Sequence, residues 1–318
     1  MLVRLYPLTR GIASYFLPAS IFTRPGSGGT CSSEYCYSVW MRHLHYLIDN
    51  KLFDSADSIQ RIAEIGPGDS VGIGIAALLS GSEKYYAFDV IEHASKHKNL
   101  QVAKEIGEYF LARAPVPNTD RQRRVGPRLQ NYDFPHKHLT CSDDWYRTRV
   151  TEIIRSLDSG NSNAVEIKYV VPWIKEAPIA MDGLDLIYSQ AVMEHILDIE
   201  SAYSEMYRWL RPGGVISHQI DFKAHEMTKV WNGHWFIGDL TWKVLAHGRK
   251  YPINRLPLSA HLNVMRKVGF EIKFILPVEQ SNSFCGQTTN VPGIEFDEQD
   301  LVTSGAFVQA IKPRKPAA

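Results

Sequence analysis

The segment Ile62-Ala-Glu64-Ile-Gly66-Pro-Gly68-Asp69-Ser70 constrains this chain most. A short apolar run ends in two glycines, and Gly72, Gly74 and the apolar stretch Ile75 to Leu79 follow. A buried strand that feeds a glycine turn and then a helix is the opening unit of an open, mainly parallel sheet. Glycine lets the backbone approach a ligand closely, and the start of a helix offers N–H groups without partners. Tyr85 to Phe88 reads as the next strand and ends at Asp89. An acid about 20 residues beyond the first glycine can hold both ribose hydroxyls of an adenine nucleoside.

The rest of the chain repeats this alternation. Ser33 is placed to cap a helix running to about Asn50. Ile167 to Val171 and Leu184 to Tyr188 read as strands, and a helix is expected to include Val192 to Ile196. A further helix is expected from Ile199 to Leu210, and Arg211-Pro-Gly-Gly reads as a stop and turn. Val215 to Phe222 is the next strand, Leu258 to Val268 a helix, and Phe270 to Leu276 with Gly305 to Ile311 a terminal hairpin. The segment from about 95 to 160 is broken by Pro115, Pro117, Pro127 and Pro135. A connection that long usually carries a function, and a cap is the expectation. Its basic run, Arg121, Arg123, Arg124 and Arg128, suits either an anionic substrate or solvent. Thus residues 1–58 are expected to form an N-terminal helical extension and residues 59–318 one α/β domain with an insertion.

Composition excludes several classes. Lys and Arg total 35 against 34 Asp and Glu, so no excess of positive charge favours nucleic acid. Cys31, Cys36, Cys141 and Cys285 lack zinc-like pairing and read as reduced thiols of a cytoplasmic protein. No metal set is evident, since His43 and His45 lie two apart on a helix and do not share a face. The apolar stretch Gly11 to Phe22, with Arg4, Arg10 and Arg24 around it and no acid before Glu34, suits peripheral contact with an anionic membrane. Packing of that stretch on the domain is the alternative.

Two cofactors fit the glycine turn and Asp89: a nicotinamide dinucleotide and S-adenosylmethionine. A strict GxGxxG requires glycine at 71, where Val71 stands. The wider pattern runs Glu64-Ile-Gly-Pro-Gly, Asp185-Leu-Ile-Tyr-Ser189, Met193-Glu-His-Ile196 and Trp209-Leu-Arg-Pro-Gly-Gly214. In that order it resembles the class I S-adenosylmethionine-dependent methyltransferases, over roughly residues 60 to 222. The resemblance implies a Rossmann-like seven-stranded sheet, mostly parallel, with an antiparallel last strand and helices on both faces. It implies that Glu64, Gly66 and Gly68 surround the methionine moiety of S-adenosylmethionine and that Asp89 holds its ribose. Asp69 and Gln190 join this cofactor set, and Val171, Pro172 and Trp173 would lie near adenine. Tyr35-Cys-Tyr-Ser-Val-Trp40, Tyr188-Ser-Gln-Ala191, Ser217-His-Gln-Ile-Asp-Phe222, Trp231-Asn-Gly-His-Trp235 and Ile253-Asn-Arg255 look like methyltransferases of bacterial surface-polysaccharide biosynthesis.

An alcohol acceptor needs a base beside the sulfonium. Sites in open α/β sheets lie beyond the carboxyl ends of the strands. That selects Gln190, Glu194 and His195 after one strand and Asp221 and His225 after another. The candidate bases are His218, Asp221, His225 and His234, each with packing or turn capping as its bland alternative. Trp231 and Trp235 could form a sugar platform, and Asn254-Arg255 could hold a phosphate or carboxylate. The expected function is O-methylation of a sugar or glycan precursor in polysaccharide biosynthesis. The alternatives are a non-catalytic S-adenosylmethionine-binding protein and a nicotinamide-dependent oxidoreductase.

Overall fold

The computed structural model describes residues 2–17, 29–118, 120–122, 125–173, 179–284 and 288–314. Arg24, Arg123, Arg124 and Cys285, and the part of the apolar N-terminal stretch beyond 17, lie outside them. Helices α1 (Leu5–Ala13) and α2 (Ser33–Asp49) precede β1 (Arg61–Ile65), α3 (Gly72–Leu79) and β2 (Lys84–Phe88). Then come α4 (Lys96–Leu111), α5 (Asp143–Ser159), β3 (Glu166–Val170), β4 (Leu184–Gln190), α6 (Ile199–Trp209) and β5 (Leu210–Asp221). The chain continues with α7 (Asp239–Ala246), α8 (Leu258–Val268), β6 (Glu271–Glu279), α9 (Glu298–Val302) and β7 (Thr303–Ile311).

The seven strands form one sheet in the order β3-β2-β1-β4-β5-β7-β6. β1 runs parallel to β2 and β4, and β2 parallel to β3. The far end is antiparallel. Phe222 N–H donates to Ser304 O at 3.0 Å while Lys312 N–H donates to Gly214 O at 2.9 Å, so β5 and β7 run in opposite senses. Gln280 N–H to Val302 O, 2.9 Å, begins the β6–β7 pairing. This is the mainly parallel sheet expected from the alternating pattern, in the seven-stranded Rossmann-like form with an antiparallel last strand that the resemblance implies. β4 is buried along nearly its whole length, as a strand covered on both faces must be.

Three local expectations are corrected. The cap of α2 is Ser32, whose hydroxyl accepts from Tyr35 N–H at 3.3 Å, one residue before the expected cap. Residues 193–195 form a single 3-10 turn rather than a helix. Arg211-Pro-Gly-Gly belongs to β5, because β7 runs alongside it and Gly213 N–H donates to Lys312 O at 2.7 Å. A local turn signal gives way there to a partner strand about a hundred residues on.

The chain divides into two compact units. One comprises residues 26–190, 206–217 and 309–318. In it the buried residues of α2, α3, α4 and α5 share a single core with β1 and β2. Arg42, fully buried on α2, donates to Pro127 O at 2.9 Å and to Pro117 O at 2.8 Å. It thereby fixes the proline-rich connection between α4 and α5, whose Val116, Val125, Phe134 and Leu139 enter the same core. The other unit comprises residues 1–25, 191–205 and 218–308. There α1 packs on α7, so closely that a Cβ on Gly11 would lie 2.1 Å from Val244 O. Tyr15 stacks on His247 with centroids 3.6 Å apart. Residues 1–58 therefore supply α1 to one unit and α2 to the other.

Candidate functional site

In the first unit the β1–α3 turn has Gly66 and Gly68 at φ 71° and 72°, the left-handed region that favours glycine. Gly72 and Gly74 have a different reason. A Cβ on Gly74 would sit 2.1 Å from the Tyr85 ring, and one on Gly72 would sit 2.5 Å from Cys36 Sγ. Those two glycines serve helix packing.

Much of the donor capacity of the turn is already used. Asp69 N–H donates to Thr30 Oγ1 at 2.8 Å and Val71 N–H to Asn99 Oδ1 at 3.0 Å. Gly72 N–H reaches Ser70 Oγ at 3.2 Å, and the Ser70 hydroxyl in turn donates to Thr30 O. A pyrophosphate needs such N–H groups free. Asp89, buried at the end of β2, accepts from Val90 N–H at 2.7 Å through Oδ1. The next two residues, Val90 and Ile91, expose their apolar side chains. Trp173 N–H donates to Asp89 O at 3.2 Å, and its ring packs edge-on against Trp209 at 6.0 Å.

Glu64 is buried in the sheet. Its Oε2 accepts from the hydroxyls of Tyr85 at 2.5 Å and Tyr188 at 3.1 Å. Burial pushes its carboxyl up to about 7, against the opposing pull of the two tyrosine hydrogen bonds. Gln190 ends β4 beside His43 of α2, whose Nδ1 lies 2.8 Å from Ser217 Oγ. Burial lowers the His43 pKa to about 3, so its ring is neutral at neutral pH.

The second unit gathers most of the remaining candidates. Asp221 Oδ2 lies 3.6 Å from His225 Nε2, and Asp221 Oδ1 lies 3.1 Å from Lys223 Nζ. Burial would raise the Asp221 carboxyl, but His225 and Lys223 outweigh it and hold it at about 2. His195 packs against His225 with ring centroids 5.2 Å apart. Burial, reinforced by His225, lowers its pKa to about 4. Glu194, also buried, lies with Oε1 4.0 Å from His195 Nε2. The turn carrying both is clamped by Asn254. Its N–H donates to Glu194 O at 2.7 Å, and its Nδ2 donates to Met193 O and Ile196 O, both at 2.9 Å. Nothing in the local sequence marks Asn254 for that task, since its partners lie about sixty residues back.

Other candidates sit deeper. His218 is fully buried within β5, with its ring 5.9 Å from that of Tyr203. His234 is buried, and burial lowers its pKa to about 3, with Arg255 adding to the effect. Trp231 and Trp235 are buried and pack edge-on at 5.5 Å. Arg255 donates through NH2 to Ile237 O at 2.7 Å and Asn290 O at 2.9 Å, and stands 5.0 Å from the Trp242 ring centre. Its guanidinium thus ties three stretches of this unit together.

A family model described as "Methyltransferase domain" matches residues 142–217, which span α5, β3, β4, α6 and the first part of β5. No curated protein sequence matches the chain. Among solved structures, one that is similar is phosphoethanolamine N-methyltransferase 2 of Haemonchus contortus with S-adenosyl-L-methionine. It is 14% identical at a TM-score of 0.44, covering 86% of this chain and 53% of that one. This chain thus spans about half the length of the Haemonchus enzyme. An S-adenosylmethionine-dependent methyltransferase from Methanosarcina mazei is 12% identical at a TM-score of 0.43, covering 85% of this chain and 98% of that one. Geranyl diphosphate C-methyltransferase of Streptomyces coelicolor is 12% identical at 0.43, covering 85% of this chain and 76% of that one.

Proposed function

We propose that the protein is an S-adenosylmethionine-dependent methyltransferase acting on a hydroxyl of a sugar or glycan precursor in polysaccharide biosynthesis. The observation that carries the cofactor is the internally satisfied β1–α3 turn paired with an acid at the end of β2. Asp69, Val71 and Gly72 have already given their N–H groups to Thr30, Asn99 and Ser70. Such a turn suits a ligand with a ribose and no phosphate, which favours S-adenosylmethionine over a dinucleotide. The methyltransferase-domain match over 142–217 supports the same reading. Glu64 then acts from behind the turn by fixing Tyr85 and Tyr188, while Asp89 supplies the ribose contact.

For the acceptor proton, the pair Asp221–His225 is the best supported of the four candidates. Both side chains retain solvent access, at 29% and 32% of the side-chain surface, whereas His218 and His234 are enclosed. An ionised carboxylate behind an accessible imidazole lets the ring take a hydroxyl proton and stabilises the resulting charge.

The test has two arms. Titration calorimetry should show binding of S-adenosylhomocysteine that Asp89→Ala weakens about 10- to 100-fold, the loss of hydrogen bonds to a charged group. Unchanged binding in that variant refutes the ribose assignment, and tight binding of a nicotinamide dinucleotide refutes the cofactor. Incubation with labelled S-adenosylmethionine and a panel of nucleotide sugars should give a methyl mass gain. His225→Ala should slow that transfer about 10²- to 10⁴-fold without altering cofactor affinity. Cofactor binding without methyl gain on any precursor would point to a non-catalytic binding protein.

A second feature supports peripheral membrane contact as a further part of this reading. α1 and the turn after it expose Leu5, Tyr6, Ile12 and Phe16, the last at 83%, beside the exposed Arg4. No helix among the described residues is long and apolar enough to cross a membrane. Co-sedimentation with anionic vesicles that Phe16→Ser with Leu5→Ser abolishes is the expected result.

A further inference from the structure

The second unit contains a buried carboxyl group that no side chain among the described residues hydrogen-bonds. Both oxygens of Glu194 are enclosed and neither has a hydrogen-bond partner among the described residues. The backbone of Glu194 itself and of Asp221 gives the carboxyl some electrostatic relief, too little to offset burial. Enclosing a carboxylate this way is costly unless a cation or a proton meets it. The side chains in front of it are histidines. One ligand atom each from Glu194, His195 and His225 lie within 4.8 Å of one another.

The contacts around the two rings bear on which nitrogens carry the protons. Nδ1 of His195 lies 3.3 Å from Pro252 O. A carbonyl only accepts, so the proton sits on Nδ1 and the lone pair is on Nε2, the atom 4.0 Å from Glu194 Oε1. Asp221 Oδ2 lies 3.6 Å from His225 Nε2; a proton held between them would leave Nδ1 of His225 with the lone pair. A carboxylate or carbonyl behind each ring is the support that metal-ligating histidines ordinarily have. Asn254 holds Glu194 and His195 in register on one rigid turn.

We infer that Glu194, His195 and His225 form a binding site for a divalent first-row transition ion, with Asp221 as the carboxylate that orients His225. Two imidazoles and one carboxylate, with further positions open, suit zinc or ferrous iron rather than magnesium or calcium. Ligand bonds of about 2.0–2.2 Å require the three atoms to close by roughly an ångström. His225, which is part-exposed and outside any helix or strand, supplies that freedom. An ion bound there would take up the lone pair that His225 uses as a base in the metal-free protein, and would ease deprotonation of a hydroxyl ligand in the place of that ring. That role rests on the methyl-transfer reading; the site itself does not.

The test uses the full chain without a histidine tag, stripped with chelator and titrated with Co²⁺ in the absence of cofactor and acceptor. One equivalent should bind, with visible d–d absorption of nitrogen and oxygen coordination. His195→Gln and His225→Gln should abolish the bands. Asp221→Asn should weaken binding about 10- to 100-fold, the usual cost of losing a group that orients a ligand. Thermal melts of the stripped variants control for folding, and His225 is accessible enough that its replacement should leave the melt unchanged. Absence of stoichiometric binding, or binding that survives both histidine substitutions, overturns the site. Either outcome leaves the calorimetric test of S-adenosylhomocysteine binding untouched, so the two readings fail separately.

Discussion

Glu64 and Glu194 are both almost fully enclosed glutamates that follow an apolar run, yet their surroundings differ in kind. Glu64 stands inside β1 and accepts from two tyrosine hydroxyls, one on β2 and one on β4. Glu194 stands on a short turn, and neither of its side-chain oxygens has a hydrogen-bond partner among the described residues. Burial pushes both carboxyls up. The difference shows that burial alone does not tell a structural acid from a functional one. What separates them is whether the fold has spent donors on the acid. Glu64 is tied into the sheet, whereas Glu194 is held ready by the clamp of Asn254 and left unsatisfied.

The largest effect should come from attacking the satisfied member. Glu64→Ala strands the hydroxyls of Tyr85 and Tyr188 in the core, at about 1–3 kcal/mol each. Urea unfolding should show a loss of about 2–6 kcal/mol, on the same reckoning. A loss under about 1 kcal/mol, within the range of ordinary surface substitutions, would show that the two hydroxyls find other partners.

A pH series sharpens the comparison. The folded Glu64 carboxyl titrates at about 7 against an ordinary 4.5, so the fold binds its proton more tightly than the unfolded chain does. Its contribution to stability is full below about 4.5 and is lost as pH rises to about 7. Buried histidines act in the opposite sense. His43, His234 and His261 are lowered to about 3 and His195 to about 4, so stability falls as pH drops below 6.5 toward those values. Between pH 5 and 8 the urea midpoint of the wild type should therefore decline relative to that of Glu64→Gln. Parallel curves would remove Glu64 from this account.

The smallest effect is expected at Glu194. Its isosteric replacement by Gln takes away a buried acid whose oxygens make no hydrogen bond. Stability in metal-free buffer should stay within about 1 kcal/mol of wild type or rise slightly. A large loss would mean that the carboxylate is itself a structural anchor and that the contrast with Glu64 is mistaken.

Local signals carried the fold a long way. The apolar run into Gly66 and Gly68, the strand ending at Asp89 and the helix Leu258–Val268 could all be read from neighbouring residues. The start of β5 could not, because its partner is β7, and no local rule tells a Pro-Gly-Gly stop from an edge of paired strand. The candidate site was legible as residue types and less so as geometry. The pairing of Asp221 with His225 is hinted at by a spacing of four. Tyr85 and Tyr188, by contrast, meet Glu64 from 21 and 124 residues away. A helix over Val192 to Ile196 splays the side chains of Glu194 and His195 by about 100°. The 3-10 turn closed by Asn254 instead brings both to one cluster with His225.

Helix α2 sets a problem of timing during synthesis. Eleven of its 17 residues are buried, Trp40 and Arg42 completely. His43 finds Ser217 only 174 residues later, and Asn50 finds Gln309 only 259 residues later. A chain emerging from the ribosome at about 5–20 residues per second must carry this apolar helix without its final partners for roughly ten seconds or more. Contacts that distant are slow to form and leave sticky surface exposed meanwhile. Chaperone demand and aggregation in truncated chains should therefore centre on α2, well before any chemistry of the sheet is in question.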